Sequence, residues 1–139
     1  MHKLKIFTDG GARGNPGPGA GAFVAFDEEN KILERQGIFL GVTTNNQAEY
    51  NGVLLAFNFL RNLKEKPEVV NFFLDSELIT NQLLGRYKIK DQKLQTLVVK
   101  IKILEKEVGS KINYSYIPRS QNKLADFVVN HTIDVGTRQ

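Results

Sequence analysis

Ile6-Phe7-Thr8-Asp9-Gly10-Gly11-Ala12-Arg13-Gly14-Asn15-Pro16-Gly17-Pro18-Gly19 is the stretch from which the fold is read. A short apolar run delivers one carboxylate, Asp9, and then breaks into glycine and proline. Six of the twelve glycines fall between Gly10 and Gly21, and two of the four prolines lie among them. Such backbone turns sharply and lets a ligand come close. An acid at a strand end beside accessible backbone fits a metal or phosphate site. By itself the stretch fits a hairpin with a solvated aspartate equally well.

Working outward, Leu4, Ile6 and Thr8 alternate with Lys3, Lys5 and Phe7, which predicts a strand ending at Asp9. Residues 20–26 read as a second strand, Asp27-Glu28-Glu29-Asn30 as a polar hairpin tip, and residues 31–40 as a third strand. Together they predict an antiparallel meander. Thr43-Thr44-Asn45-Asn46 supplies capping chemistry for a helix over about residues 46–63, with Val53, Leu54, Phe57, Leu60 and Leu63 at helical spacing. Residues 69–74 form a compact apolar run, as in a buried central strand. Asp75-Ser76 caps a helix that reaches Leu84 and stops near Gly85. Leu94, Leu97, Val98, Ile101, Leu104 and Val108 stripe a longer helix, and residues 112–117 alternate as a fifth strand. Residues 118–122 read as a loop, and a last helix carries Leu124, Ala125, Val128 and Val129. Residues 136–139 are expected to fray.

The order βββαβααβα predicts an α/β fold: one five-stranded mixed sheet flanked by helices, a single domain over residues 1–135. It places Asp9 and Asp75 just past the C-terminal ends of the first and fourth strands, where ligands of open α/β sheets gather.

The 139 residues suffice for one domain with a real core, and 41% apolar against 24% charged residues reads as soluble and globular. No run approaches a membrane span, and Met1-His2-Lys3-Leu4 lacks a signal peptide's apolar centre. The absence of cysteine excludes disulfides, thiolate nucleophiles and cysteine-built zinc sites. The simplest expectation is a cytoplasmic protein. A net charge of +4 and a pI near 9.3 suit a polyanionic partner. Between Arg86 and Lys111 stand eight bases against three acids, which fits either such a partner or a solvated helix face.

Four acids stand out by their neighbours. Asp9 and Asp75 end strands, Glu49 sits early in the first helix, and Asp126 lies in the last helix among Leu124, Ala125, Phe127 and Val128, where an unpaired carboxylate would be costly. Taken singly, Asp75 could be only a cap, Glu49 a first-turn charge and Asp126 a surface residue. Taken jointly, they gather at one end of the sheet. Clustered carboxylates without His or Cys are hard oxygen ligands, suited to Mg²⁺ or Mn²⁺ rather than zinc. Two such ions can activate a water and stabilise a leaving 3′ oxygen in phosphodiester cleavage. Setting those four aside leaves eleven acids against nineteen bases on the remaining chain.

The sequence resembles type 1 ribonuclease H over nearly its whole length. The motifs are Thr8-Asp9-Gly10-Gly11 with Gly14-Asn15-Pro16-Gly17, Thr44-Asn45-Asn46-Gln47-Ala48-Glu49, Asp75-Ser76, and Asn122-Lys123-Leu124-Ala125-Asp126. The resemblance implies a ribonuclease H-like fold with Asp9, Glu49, Asp75 and Asp126 as the metal-binding carboxylates. It implies hydrolysis of the RNA strand of RNA/DNA hybrids, leaving 5′-phosphate and 3′-hydroxyl ends, with two Mg²⁺ ions per site and Mn²⁺ as a substitute. It also implies that Asn15, Asn46 and Gln47 contact RNA, with the backbone of Gly10 and Gly11 approaching the strand. Amides and peptide groups suit a 2′-hydroxyl that both donates and accepts. Thr44 and Asn45 become candidates for holding DNA phosphate or ribose, alongside helix capping for Thr44.

Two departures from the family pattern stand out. The loop before the last helix, Ile117-Pro118-Arg119-Ser120-Gln121-Asn122, lacks the histidine many members carry there, and Arg119 is the candidate to meet the scissile phosphate instead. His2 and His131 read as a near-terminal and a surface residue. Tyr87-Lys88-Ile89-Lys90 leaves no room for the basic handle of many relatives, so the expected affinity is modest and salt-sensitive, with lysines of the following helix compensating. No P-loop ending, Gly-x-Ser-x-Gly elbow or dinucleotide fingerprint is present. The competing readings are a non-catalytic nucleic-acid binder on the same fold and a broader ribonuclease that also cuts double-stranded RNA. A monomer without an obligatory protein partner is expected.

Overall fold

The computed structural model describes residues 2–138. Its elements run β1 (Lys3–Ala12), β2 (Gly17–Phe26), β3 (Ile32–Thr43), α1 (Asn45–Arg61), β4 (Val69–Leu74), α2 (Glu77–Leu83), α3 (Gln92–Val108), β5 (Lys111–Tyr116), a 3₁₀ turn (Arg119–Gln121) and α4 (Lys123–Thr137). The five strands form one mixed sheet in the order β3-β2-β1-β4-β5. The meander is antiparallel, while β4 and β5 join it in parallel through helical crossovers.

Alternation decides what each face of the sheet buries. Leu4, Ile6, Phe23, Val70, Phe72 and Leu74 pack with Phe57, Leu60 and Ile101 of α1 and α3. Phe57 stacks on Phe72 at 4.9 Å between ring centroids, and Phe72 meets Tyr114 at 5.4 Å. On the other face Ala20 and Ala22 are small enough to seat α4 through Val129 and Ile133. Helix ends follow local chemistry. Thr44 and Gln47 form a capping box at α1, Asp91 accepts from the Leu94 N–H at 3.0 Å, and Gly109 closes α3 in the left-handed region.

Three sequence expectations change. β1 does not end at Asp9: it continues to Ala12, with Asp9 opposite Ala22 and Gly11 opposite Ala20. Pairing with β2 overrides the low strand propensity of glycine. The parallel pairing of β1 with β4 does stop at Thr8 opposite Leu74, so Asp9 and Asp75 follow that last pair side by side. α4 is helical through Thr137, and Gly136 lies against the Phe39 ring, so residues 136 and 137 are not a frayed tail; Gln139 lies outside the described residues. Finally, Asp126 is exposed rather than in an apolar setting, because Leu124 and Phe127 face outward from α4.

Candidate active site

Strand register and helix caps bring the acids together. Asp9 projects from β1 and Asp75 follows β4. Ser76, not Asp75, caps α2, its Oγ accepting from the Ile79 N–H at 3.2 Å, which leaves the Asp75 carboxylate free to face the site. Glu49 arrives from α1 because that helix lies on β1 backbone to backbone. A Cβ on Gly10 would come within 2.2 Å of the Ala48 carbonyl, and one on Gly52 within 2.5 Å of the Asp9 carbonyl oxygen. Close packing of α1 thus demands glycine at positions 10 and 52, independently of any ligand.

Asp9, Glu49 and Asp75 each offer a carboxylate oxygen, and these oxygens lie within 4.8 Å of one another. Asp9 and Glu49 are buried, and the Oε2 atom of Glu49 is buried with no hydrogen-bond partner. Burial and then the Asp75 carboxylate push the Asp9 pKa up to about 7; Asp126 adds to this, while the Gly10 N–H at 2.8 Å and the Arg119 charge oppose it. Glu49 is raised well above the usual carboxylate range by burial first, then by Asp9 and Asp75. Three acids packed this way with an unpaired buried oxygen are held against their own repulsion, and a hard divalent cation relieves it. The donor set therefore fits Mg²⁺ or Mn²⁺.

Around the acids lies a cleft of about 430 Å³, lined also by Gly10, Gly11, Arg13, Asn45, Asn46, Arg119, Asp126 and Asn130. The four predicted carboxylates, Arg119, Asn45, Asn46 and the glycine backbone thus share one cavity. Asn15, Thr44 and Gln47 do not line it. Asn15 Oδ1 accepts from the Asn45 N–H at 3.0 Å, and Asn45 Oδ1 accepts from the Ala12 N–H at 2.9 Å, tying the glycine-rich turn to the start of α1. Gln47 Oε1 accepts from Thr43 Oγ1 and the Thr44 N–H. Gln47 lines a neighbouring hollow with Leu40, Asn51 and Lys93.

Sequence reasoning assigned no role to Asn122. It is 1% exposed and donates Nδ2 to the Thr8 carbonyl at 2.9 Å and to Asp75 Oδ2 at 3.0 Å. Its place just before α4 suggests a cap, yet its side chain makes no cap bond and holds Asp75 instead.

A family model described as reverse transcriptase-like matches residues 7–132. The chain is 35% identical over 137 residues to the bifunctional protein Rv2228c of Mycobacterium tuberculosis, covering 98% of this chain and 37% of that one. It thus spans little more than a third of the mycobacterial relatives it matches. It is 29% identical to ribonuclease HI of Halobacterium salinarum, over 95% of this chain and 65% of that one. Among solved structures, LC11-RNase H1 in complex with an RNA/DNA hybrid superposes with a TM-score of 0.91 at 38% identity, covering 96% of this chain and 99% of that one. The N-terminal RNase H domain of Rv2228c superposes at 0.90 with 32% identity, covering 99% and 98%.

Proposed function

The chain belongs to the type 1 ribonuclease H family, and on that premise we propose that it is a divalent-metal-dependent endoribonuclease that cuts the RNA strand of RNA/DNA hybrids, leaving 5′-phosphate and 3′-hydroxyl ends. The observation that carries this reading is the Asp9–Glu49–Asp75 cluster, with its buried, unpaired Glu49 oxygen, at a cleft shared with Asp126 and Arg119. A non-catalytic binder would have no need to keep four acids whose mutual repulsion opposes binding of a polyanion.

Asp9, Glu49, Asp75 and Asp126 would hold the metal, Mg²⁺ with Mn²⁺ as its substitute, and two ions with substrate bound. When bound, such ions supply an activated water and neutralise charge on the phosphodiester. The protein's own groups orient the strand. Asn46 and the peptide groups at Gly10 and Gly11 line the cleft, suited to RNA ribose hydroxyls, and Asn45, which lines it too, is assigned with Thr44 to DNA phosphate or ribose. Arg119 stands exposed in the 3₁₀ turn beside the cluster, where its guanidinium reaches a phosphate oxygen without entering the core. Asn15, Thr44 and Gln47 act from the rim, with Thr44 on the DNA backbone. The same reading takes the protein as a monomeric enzyme of the cytoplasm, and its net charge of +4 suits a polyanionic substrate.

The test is cleavage of labelled RNA/DNA hybrid in Mg²⁺ or Mn²⁺, with EDTA controls and double-stranded RNA in parallel. Wild type is expected to cleave the hybrid and Asp9→Asn to be inactive; equal RNA loss by both sinks the assignment. Arg119→Ala is expected to slow cleavage at saturating substrate with an unchanged melting temperature, and an unchanged rate removes Arg119 from the mechanism.

A further inference from the structure

Beyond the three clustered acids, a run of contacts joins Arg13, Asn130 and Asp126, all of which line the cleft. Arg13, on the turn between β1 and β2, reaches α4 with Nη1 2.6 Å from Asp134 Oδ1. Its Nη2 lies 3.3 Å from the Asn130 carbonyl oxygen and 3.4 Å from Asn130 Oδ1. Asn130 in turn donates Nδ2 to the Asp126 carbonyl at 3.0 Å and to Asp126 Oδ1 at 3.3 Å. Asp126 is the acid outside the tight cluster, exposed in the first turn of a helix that packs on the opposite face of the sheet from α1.

We propose that Arg13 is a positioning residue: by pinning the glycine-rich turn to α4 through Asp134 and Asn130, it fixes where the Asp126 carboxylate stands relative to Asp9 and Asp75, and so whether the fourth acid can join a bound divalent cation. This rests on the metal-dependent reading above. An exposed ion pair contributes little to global stability, and Arg13 and Asp134 are each 46% exposed, so the consequence of this pair is local geometry. The planar guanidinium meets a carboxylate and a neighbouring amide with separate N–H groups, a fork that lysine, a point charge, does not reproduce. Groups that orient metal ligands commonly change metal affinity tenfold or more when removed.

The experiment compares wild type, Arg13→Ala, Arg13→Lys, Asp134→Asn and the double variant Arg13→Ala/Asp134→Asn. Three quantities are read: the Mg²⁺ concentration for half-maximal cleavage of hybrid, KM for hybrid with its salt dependence, and Mn²⁺ binding to the substrate-free protein by calorimetry. Each single variant is expected to need about tenfold more metal, with Mn²⁺ binding weakened to match. The double variant should be no worse than either single one, KM at saturating metal nearly unchanged, and Arg13→Lys no better than alanine. Unchanged metal dependence in Asp134→Asn overturns the proposal. So does a raised KM with a salt slope shallower by about one in Arg13→Ala alone, which marks a phosphate contact instead. If wild type leaves the hybrid intact, the enzymatic reading fails, and the calorimetric comparison still decides the role of Arg13.

Discussion

Gly10 and Ala48 meet backbone to backbone: a methyl group on Gly10 would lie 2.2 Å from both the carbonyl carbon and the carbonyl oxygen of Ala48, and 2.4 Å from the Glu49 nitrogen. On the next residue, Gly11, the nearest atom is Asn45 Oδ1 at 4.0 Å. Adjacent glycines of one motif thus have different duties. Gly10→Ala is expected to cost about 1–3 kcal/mol or more by forcing α1 off the sheet, and to lose activity as Glu49 leaves Asp9. Gly11→Ala is expected to keep the wild-type melting temperature and raise KM, because its methyl group meets substrate rather than protein. Thermal melts beside steady-state kinetics separate the two; equal destabilisation would refute the division.

Asn122 links the site to the core through two acceptors, Thr8 O and Asp75 Oδ2. Asn122→Ala strands a buried carbonyl and frees the Asp75 carboxylate, with an expected loss of about 1–3 kcal/mol. The rate should fall further than that instability explains, because a loosened Asp75 no longer completes the cluster. Asn122→Asp keeps the size but sets a fifth acid at the site, directly against Asp75, and is expected to be worse in both respects. Measuring single-turnover rates well below each variant's melting temperature isolates the effect; a rate equal to wild type there would confine Asn122 to folding.

The raised acids give stability a definite pH dependence. Asp9 titrates near 7 in the folded protein against 3.8 unfolded, so between those values the folded state holds protons that the unfolded chain has released. Folding stability from this group is present below about pH 4 and is lost as pH rises through 7. The metal-free protein is therefore expected to melt progressively lower from pH 5 to pH 8, and Asp9→Asn to flatten that trend and melt higher than wild type at pH 8. A divalent cation is held by ionised rather than protonated carboxylates, so on the proposed function the stabilisation by added Mg²⁺ should grow over the same range, and cleavage should rise with it. Melts with EDTA or Mg²⁺ at each pH check this; a metal-free melting temperature that climbs with pH would contradict the burial argument.

How far the sequence speaks follows from the range of each interaction. The apolar run Val69–Leu74 and the striped α3 are local patterns, and both elements stand where their residues predict. Asp9, Glu49 and Asp75 were legible because three local signals, the ends of two apolar runs and a helix start, meet at one end of the central strands β1 and β4. Residues 10–12 were not legible as strand, since glycine carries no strand signal and pairing with β2 decides their state. Asp126 looked apolar among Leu124 and Phe127 because adjacency in sequence does not say which way a helix faces. Asn122 and Arg13 escaped for a stronger reason. Their partners Thr8 and Asp134 lie 114 and 121 residues away, and only the sheet order and the seating of α4 bring them together.

Gln47 poses the last test, because its side chain has two ends with different work. Oε1 is committed to Thr43 and Thr44 in the capping box, which leaves the Nε2 amide as the end available for the RNA contact proposed above. Gln47→Glu keeps a capping acceptor at that position, since glutamate serves the same box, but replaces the amide donor with a negative charge. It is expected to melt like wild type and to bind hybrid more weakly. Gln47→Ala removes both ends and is expected to lose about 1 kcal/mol of stability as well. Asn46→Ala, which leaves the cap intact, should weaken hybrid binding without moving the melting temperature. If Gln47→Glu binds hybrid as wild type does, the amide has no part in recognition, and capping α1 accounts for the residue.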